Sequence, residues 1–99
     1  MLKRIDQSRR ICIPKKLSKK LGWKSEEELE ITIEYGFIVI KQFDSTDISK
    51  KRYCGIVRKL DVLNRIVIPE EYVKVLGIKV PKEVEIIMSG ETLIIDKAN

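Results

Sequence analysis

The sequence predicts a mostly β protein with short helices, assembled from two tandem ββαββ repeats. Three observations carry that reading. Shifted by 55 positions without a gap, residues 3–42 align with residues 58–97, and 13 of the 40 pairs are identical, the signature of an internal duplication. Apolar residues alternate at period two in several short runs, as half-buried strands require. Each copy also carries Ile-Pro followed eight residues later by glycine (Pro14/Gly22 and Pro69/Gly77), a bracket that fits a two-turn helix.

The elements follow in order. Leu2 to Ile5 and residues 55–60 read as outgoing strands. Asp6-Gln7-Ser8-Arg9 and Asp61-Val62-Leu63-Asn64 read as reversing loops, and Arg10 to Ile13 and Arg65 to Ile68 as returning strands. Asn64 suits a left-handed turn position, which a short polar side chain tolerates. Arg9 suits it less, so the two loops are expected to differ in shape. Helices are expected over residues 14–21 and 69–76, with Leu17 and Leu21, and Tyr72 and Leu76, forming one apolar face each at i, i+4. Then Leu29, Ile31 and Ile33 alternate against Glu28, Glu30, Thr32 and Glu34, and Val84, Ile86 and Met88 repeat the pattern. Turns at Tyr35-Gly36 and Ser89-Gly90 return the chain into strands 37–41 and 92–96.

The organisation is thus repeat 1 over residues 1–42, a polar linker over 43–55, and repeat 2 over 56–99. A unit of some forty residues buries too little apolar surface to fold alone, and a two-turn helix needs packing to persist. The two copies must therefore share a core. The thirteen-residue linker reaches at most about 45 Å, which permits pairing within one chain or a swap with a second chain. The gapless alignment favours the first.

Composition sets the function classes. The chain has 99 residues, 43% hydrophobic and 35% charged, with a net charge of +5. No apolar run exceeds four residues, so neither a membrane-spanning helix nor a signal peptide is expected. Cys12 and Cys54 form neither a disulfide framework nor a CxxC site, and read as small apolar residues of a reducing cytosol. Histidine is absent, which removes the commonest general base, metal ligand and nucleophile partner. The glycines are scattered singly, so no phosphate-cradling loop exists. Neither an enzyme, a cofactor, a metal site nor a small-molecule substrate is expected.

The charge is unevenly placed. Residues 1–24 carry +8 and residues 25–42 carry −4, while 56–79 carry +2 and the following segment −2. The first hairpin and helix are therefore the basic end of each repeat, matching an acidic partner such as nucleic acid. Lys15, Lys16, Lys19 and Lys20 fit phosphate contact and the solvated face of a short helix equally well. Arg10 and Arg65 occupy equivalent loop-to-strand corners. Asp6 and Asp61, four residues earlier, are placed to pin each guanidinium across its turn.

GIVRKLDVLNRIVIPEEYVKVLGI resembles the N-terminal DNA-binding domain of AbrB-type transition-state regulators, and MLKRIDQSRRICIPKKLSKKLGW is similar with a shorter first strand. The D-x-x-x-R string found twice in one chain resembles the MraZ branch of this SpoVT-AbrB family. The resemblance implies a swapped-hairpin AbrB-like barrel and a DNA-binding transcriptional regulator, cytoplasmic and nucleoid-associated, with double-stranded DNA as partner and homo-oligomers possible. It places the contacts on Lys3, Arg4, Arg10 and Lys19 in repeat 1, joined by Arg9 and Lys15, and on Arg58, Lys59, Arg65 and Lys74 in repeat 2. Ser18 and Val73 stand where AbrB has a further helix arginine, Glu70-Glu71 opens the second helix, and Arg9 and Asn64 replace the usual turn glycine. The first copy is therefore expected to supply more of the binding charge. A MazE-like antitoxin is the alternative, but the long C-terminal tail such proteins use is not expected where only Ala98 and Asn99 follow the last strand. A scaffold module using residues 37–40 as an oligomer surface is a third reading.

Overall fold

A computed structural model describes residues 1–43 and 55–97. The strands are β1 (Leu2–Ile5), β2 (Arg10–Cys12), β3 (Glu28–Glu34), β4 (Phe37–Gln42), β5 (Ile56–Lys59), β6 (Arg65–Val67), β7 (Lys82–Ser89) and β8 (Thr92–Lys97). The helices α1 (Lys15–Leu21) and α2 (Glu70–Val75) follow β2 and β6. No helix among the described residues is long and apolar enough to cross a membrane. Of the expected linker, residues 44–54 lie outside the described residues, as do Cys54, Ala98 and Asn99. At its near end, the Phe43 N–H donates to the Glu28 carbonyl at 3.0 Å, so the β3–β4 ladder runs one residue into that segment.

Six strands form one sheet in the order β1-β7-β8-β4-β3-β5, and β2 and β6 form a separate two-stranded ribbon. Within the sheet, β3 pairs with β4 and β7 with β8 as local hairpins. The remaining pairings join the two halves of the chain. β1 lies on β7, β5 on β3, β4 on β8, and β2 on β6. The registers are self-symmetric. Ile11 faces Ile66 in the ribbon and Val39 faces Ile94 in the sheet, and both pairs are 55 positions apart. An approximate two-fold axis passes between them.

The core explains the interleaving. Ile5, Ile11, Ile13, Leu29, Ile31, Ile38 and Ile40 from the first half join Leu60, Ile66, Ile68, Val84, Ile86, Leu93 and Ile95 from the second in one buried cluster. Leu17, Leu21, Tyr72 and Leu76 pack on its margin, which supplies the tertiary burial that such short helices need.

Local geometry departs from the sequence reading at several points. Pro14 and Pro69 precede the helices instead of opening them. Their ψ values of 130° and 137° are extended, and helical geometry starts one residue later. The first helix ends at Leu21 as expected and the second one residue early at Val75, with Gly22 at φ 73° and Gly77 at φ 68° beyond them. The Gly22 and Trp23 N–H groups donate to the Lys19 and Ser18 carbonyls, and those of Gly77 and Ile78 to Lys74 and Val73. This is a Schellman closure at both helices, and its left-handed residue favours glycine.

The Tyr35-Gly36 turn has both residues at positive φ, the type I′ pattern of a two-residue hairpin. The second turn is Gly90-Glu91, one residue later than expected, because Ser89 pairs with Thr92. Glu30, expected to face solvent, is 2% exposed. Lys41 lies across from it, with Nζ 4.0 Å from Oε1, and Gly55 lies so close that a Cβ there would collide with the carboxylate. Ile33 is only half-buried and Met88 is exposed, both near the hairpin tips where the core ends.

Candidate nucleic-acid interface

The two loops that were expected to differ have the same shape. Arg9 and Asn64 both sit in the left-handed region, at φ 63° and 64°. In each loop the aspartate organises the turn. Asp6 Oδ1 accepts from the Ser8 and Arg10 N–H groups at 2.8 and 2.9 Å, and Asp61 Oδ1 from those of Leu63 and Arg65 at 2.9 and 2.8 Å. The second carboxylate oxygen accepts from the arginine Nε, at 3.1 Å for Arg10 and 2.8 Å for Arg65.

Arginine fits the position of Asn64 because its side chain forms an equivalent bond. Arg9 Nε donates to the Ile68 carbonyl at 3.1 Å, and Asn64 Nδ2 to the Ile13 carbonyl at 2.6 Å. Each therefore ties its loop to the residue before the proline of the opposite half. The ribbon ladder extends outward through Ile13 N–H to Asn64 and Ile68 N–H to Arg9, both 2.8 Å.

These bonds lower both aspartate pKa values. For Asp6 the Arg10 backbone N–H contributes most, with the guanidinium and the Ser8 N–H adding to it against a desolvation cost. For Asp61 desolvation is the largest influence and pushes upward, but the Arg65 N–H, the Arg65 guanidinium and the Leu63 N–H together outweigh it. Both carboxylates are thus held ionised, and each ion pair engages Nε. The terminal amino groups, which form the fork used on phosphate or guanine, take no part in it.

Period-two alternation then sets the surface. With Ile11 and Ile66 buried, Arg10, Cys12, Arg65 and Val67 stand on the outer face of the ribbon. The register puts Arg10 opposite Val67 and Cys12 opposite Arg65. The two arginines are therefore diagonal neighbours across the two-fold axis, a separation of roughly 7–8 Å that is somewhat less between Cβ atoms. Their side chains are 40% and 32% exposed. Cys12, expected to be a small apolar filler, is exposed beside them.

Hairpins and helices are exchanged between the halves. The β5–β6 loop rests on α1, where Asn64 Nδ2 also donates to Ser18 Oγ at 3.1 Å. The β1–β2 loop rests on α2, and the Arg9 charge, second to Lys74, helps lower the Glu70 pKa. The basic hairpin of the first half therefore meets the acidic helix start of the second. The lysine helix of the first half meets the hairpin that carries Asp61. The basic residues of the first copy are thus divided between the two ends, Arg9 beside the start of α2 and the α1 lysines beside the β5–β6 loop.

The remaining expected contacts divide. Lys15 and Lys19, with Lys16 and Lys20, are exposed on α1, and among the described residues none of the four makes an ion pair. Lys74 is paired with Glu70 at 3.1 Å. Arg4 faces Glu83 and Lys59 faces Glu28 across their strand pairs, whereas Lys3 and Arg58 face Val84 and Leu29. Arg4 nevertheless joins Arg10, Asp6, Gln7, Ser8 and Pro81 around one shallow depression. Ser18 and Val73 are both buried.

Sequence reasoning missed the loop tip Val62-Leu63, which is 80% and 60% exposed. Two apolar residues inside a turn motif that favours polar ones were the available signal.

No family model and no curated protein matches the chain. Among solved structures, the solution structure of PHS018 from Pyrococcus horikoshii is similar in fold, with a TM-score of 0.53 at 19% identity over 100% of this chain and 92% of that one.

Proposed function

We propose that this protein is a double-stranded DNA-binding transcriptional regulator of AbrB type. In this reading two tandem ββαββ repeats interleave as a swapped-hairpin barrel, and the ribbon face is the surface laid on DNA at a two-fold axis. The protein acts in the cytoplasm on the nucleoid and catalyses nothing. The observation that carries the proposal is the placement of Arg10 and Arg65. They are neighbours on one outward face, related by the two-fold, each guanidinium oriented through Nε by an aspartate and its terminal nitrogens left for a partner. Phosphate contacts from the α1 lysines would supply affinity, and the ribbon arginines would read base edges or groove shape.

Titration of a duplex at several salt concentrations tests it. With about six basic groups on phosphates, log K falls with log salt at a slope of about −5. A flat salt response, or no duplex binding at low salt, refutes the proposal.

A further inference from the structure

The two ends of the ribbon share a backbone but not a chemistry. At one end the tip is Val62-Leu63, at the other Gln7-Ser8. The loops have matching hydrogen bonds, so the tips present different side chains from equivalent positions. Val62 and Leu63 project from a basic surround. Asn64 ties their loop to the lysine helix α1, Arg65 follows it in sequence, and Leu63 lies against the outer face of the ribbon, its carbonyl 3.6 Å from Cys12 Sγ. Two exposed aliphatic side chains inside a positive surface fit a partner that is anionic overall yet carries apolar groups at its recognition edge. The major groove of duplex DNA has that character, because thymine places a C5-methyl among the hydrogen-bonding groups. At the opposite end Gln7 and Ser8 suit hydrogen bonding to base edges, and α2 brings Glu70 and Glu71 in place of Lys15 and Lys16.

We propose, resting on the DNA-binding reading above, that the target is a duplex without two-fold symmetry, bound in one orientation, and that Val62 and Leu63 contact thymine methyl groups in one half of it. The pseudo-symmetric backbone sets the spacing of the two contacts, and the unlike tips assign each to its own half-site.

The experiment starts from a duplex selected by the protein from a random pool, with each dT replaced in turn by dU, which removes only the methyl. Affinity is expected to fall about 3- to 5-fold per contacted methyl, the worth of burying one carbon group, and only in one half of the site. Val62→Gln with Leu63→Ser copies the opposite tip onto the same backbone and is expected to abolish the dU effect with an unchanged thermal midpoint. Gln7→Val with Ser8→Leu is expected to create dU sensitivity in the other half. Tight binding with dU effects equal in both halves, or with none, overturns this inference and leaves DNA binding standing. Failure to select or bind any duplex overturns the functional proposal itself.

Discussion

Ile66→Ala puts the shared core to a direct test. Ile66 is fully buried on the inner face of the ribbon, opposite Ile11, and among the described residues β6 pairs only with β2 of the other half. Removing a buried isoleucine to alanine costs about 2–5 kcal/mol. The site is closed in by residues of both halves, so little collapse can fill the void, and about 3 kcal/mol is the expected loss. For a domain of this size that lowers the melting midpoint by about 12–24 °C. With an m-value of about 1.5–2 kcal/mol/M it lowers the urea midpoint by about 1.5–2 M.

The assay follows from the position of Trp23, the single tryptophan. It is 5% exposed and lies in the other half of the sequence from the mutation. Trp23 fluorescence and far-ultraviolet circular dichroism are expected to report one coincident transition, shifted equally by Ile66→Ala. A tryptophan transition that stays at its original urea concentration while the dichroism splits in two would show that the halves fold separately. The ribbon would then not be the rigid platform assigned to Arg10 and Arg65.

Three further outcomes are expected. Arg10→Ala and Arg65→Ala should each weaken duplex binding by about 5- to 150-fold, the range for losing a bidentate contact, with Lys24→Ala and Lys79→Ala nearly silent. Arg→Lys at the same sites should restore only part, since an ammonium lacks the fork, and an affinity loss that merely tracks lost thermal stability would reduce these arginines to structural pins. In a Cys54→Ser background, bound duplex should protect the exposed Cys12 from alkylation, and alkylated protein should bind poorly; equal labelling rates with and without DNA would remove the ribbon face from the interface. Asp6 and Asp61 have folded pKa values below 3.8, so their contribution to stability is full above that value and is lost as pH falls through it toward the folded values. Thermal midpoints of the wild type should therefore decline below about pH 4 more steeply than those of Asp6→Asn with Asp61→Asn, and parallel acid profiles would contradict the pinned loops.

Much of this architecture is visible in the residues because it is local. The D-x-x-x-R spacing, the Ile-Pro before each helix and the glycine after it each specify a few neighbouring dihedrals. What escapes is whatever depends on a partner far along the chain. Arg9 looks wrong for a left-handed corner until the Ile68 carbonyl, 59 residues away, is seen to accept its Nε. Glu30 reads as a surface residue because its burial comes from Lys41 across the strand pair and from Gly55 just before β5. Pro14 reads as a first helical residue, although ψ 130° keeps it extended, its preceding carbonyl being the acceptor for Asn64.

The same non-locality bears on the candidate site. Charge summed along the sequence assigns the basic surface to the first copy, but the chain does not fold copy by copy. Because the loops cross to the opposite helix, Arg9 comes to lie beside Glu70, and the loop that carries Val62 and Leu63 lies on the lysine helix α1. Exchange of this kind preserves a two-fold backbone while letting the side chains at its two ends diverge independently. In a homodimer any substitution at one loop tip appears at both, so its surface stays symmetric. Here Gln7-Ser8 and Val62-Leu63 can differ without disturbing either turn, since the turns are held by Asp6 and Asp61 on backbone N–H groups and by the side chains of Arg9, Asn64, Arg10 and Arg65, not by those of the tips. On the proposed DNA-binding reading, a single chain of this topology would hold the spacing of a dyad constant and still distinguish left from right.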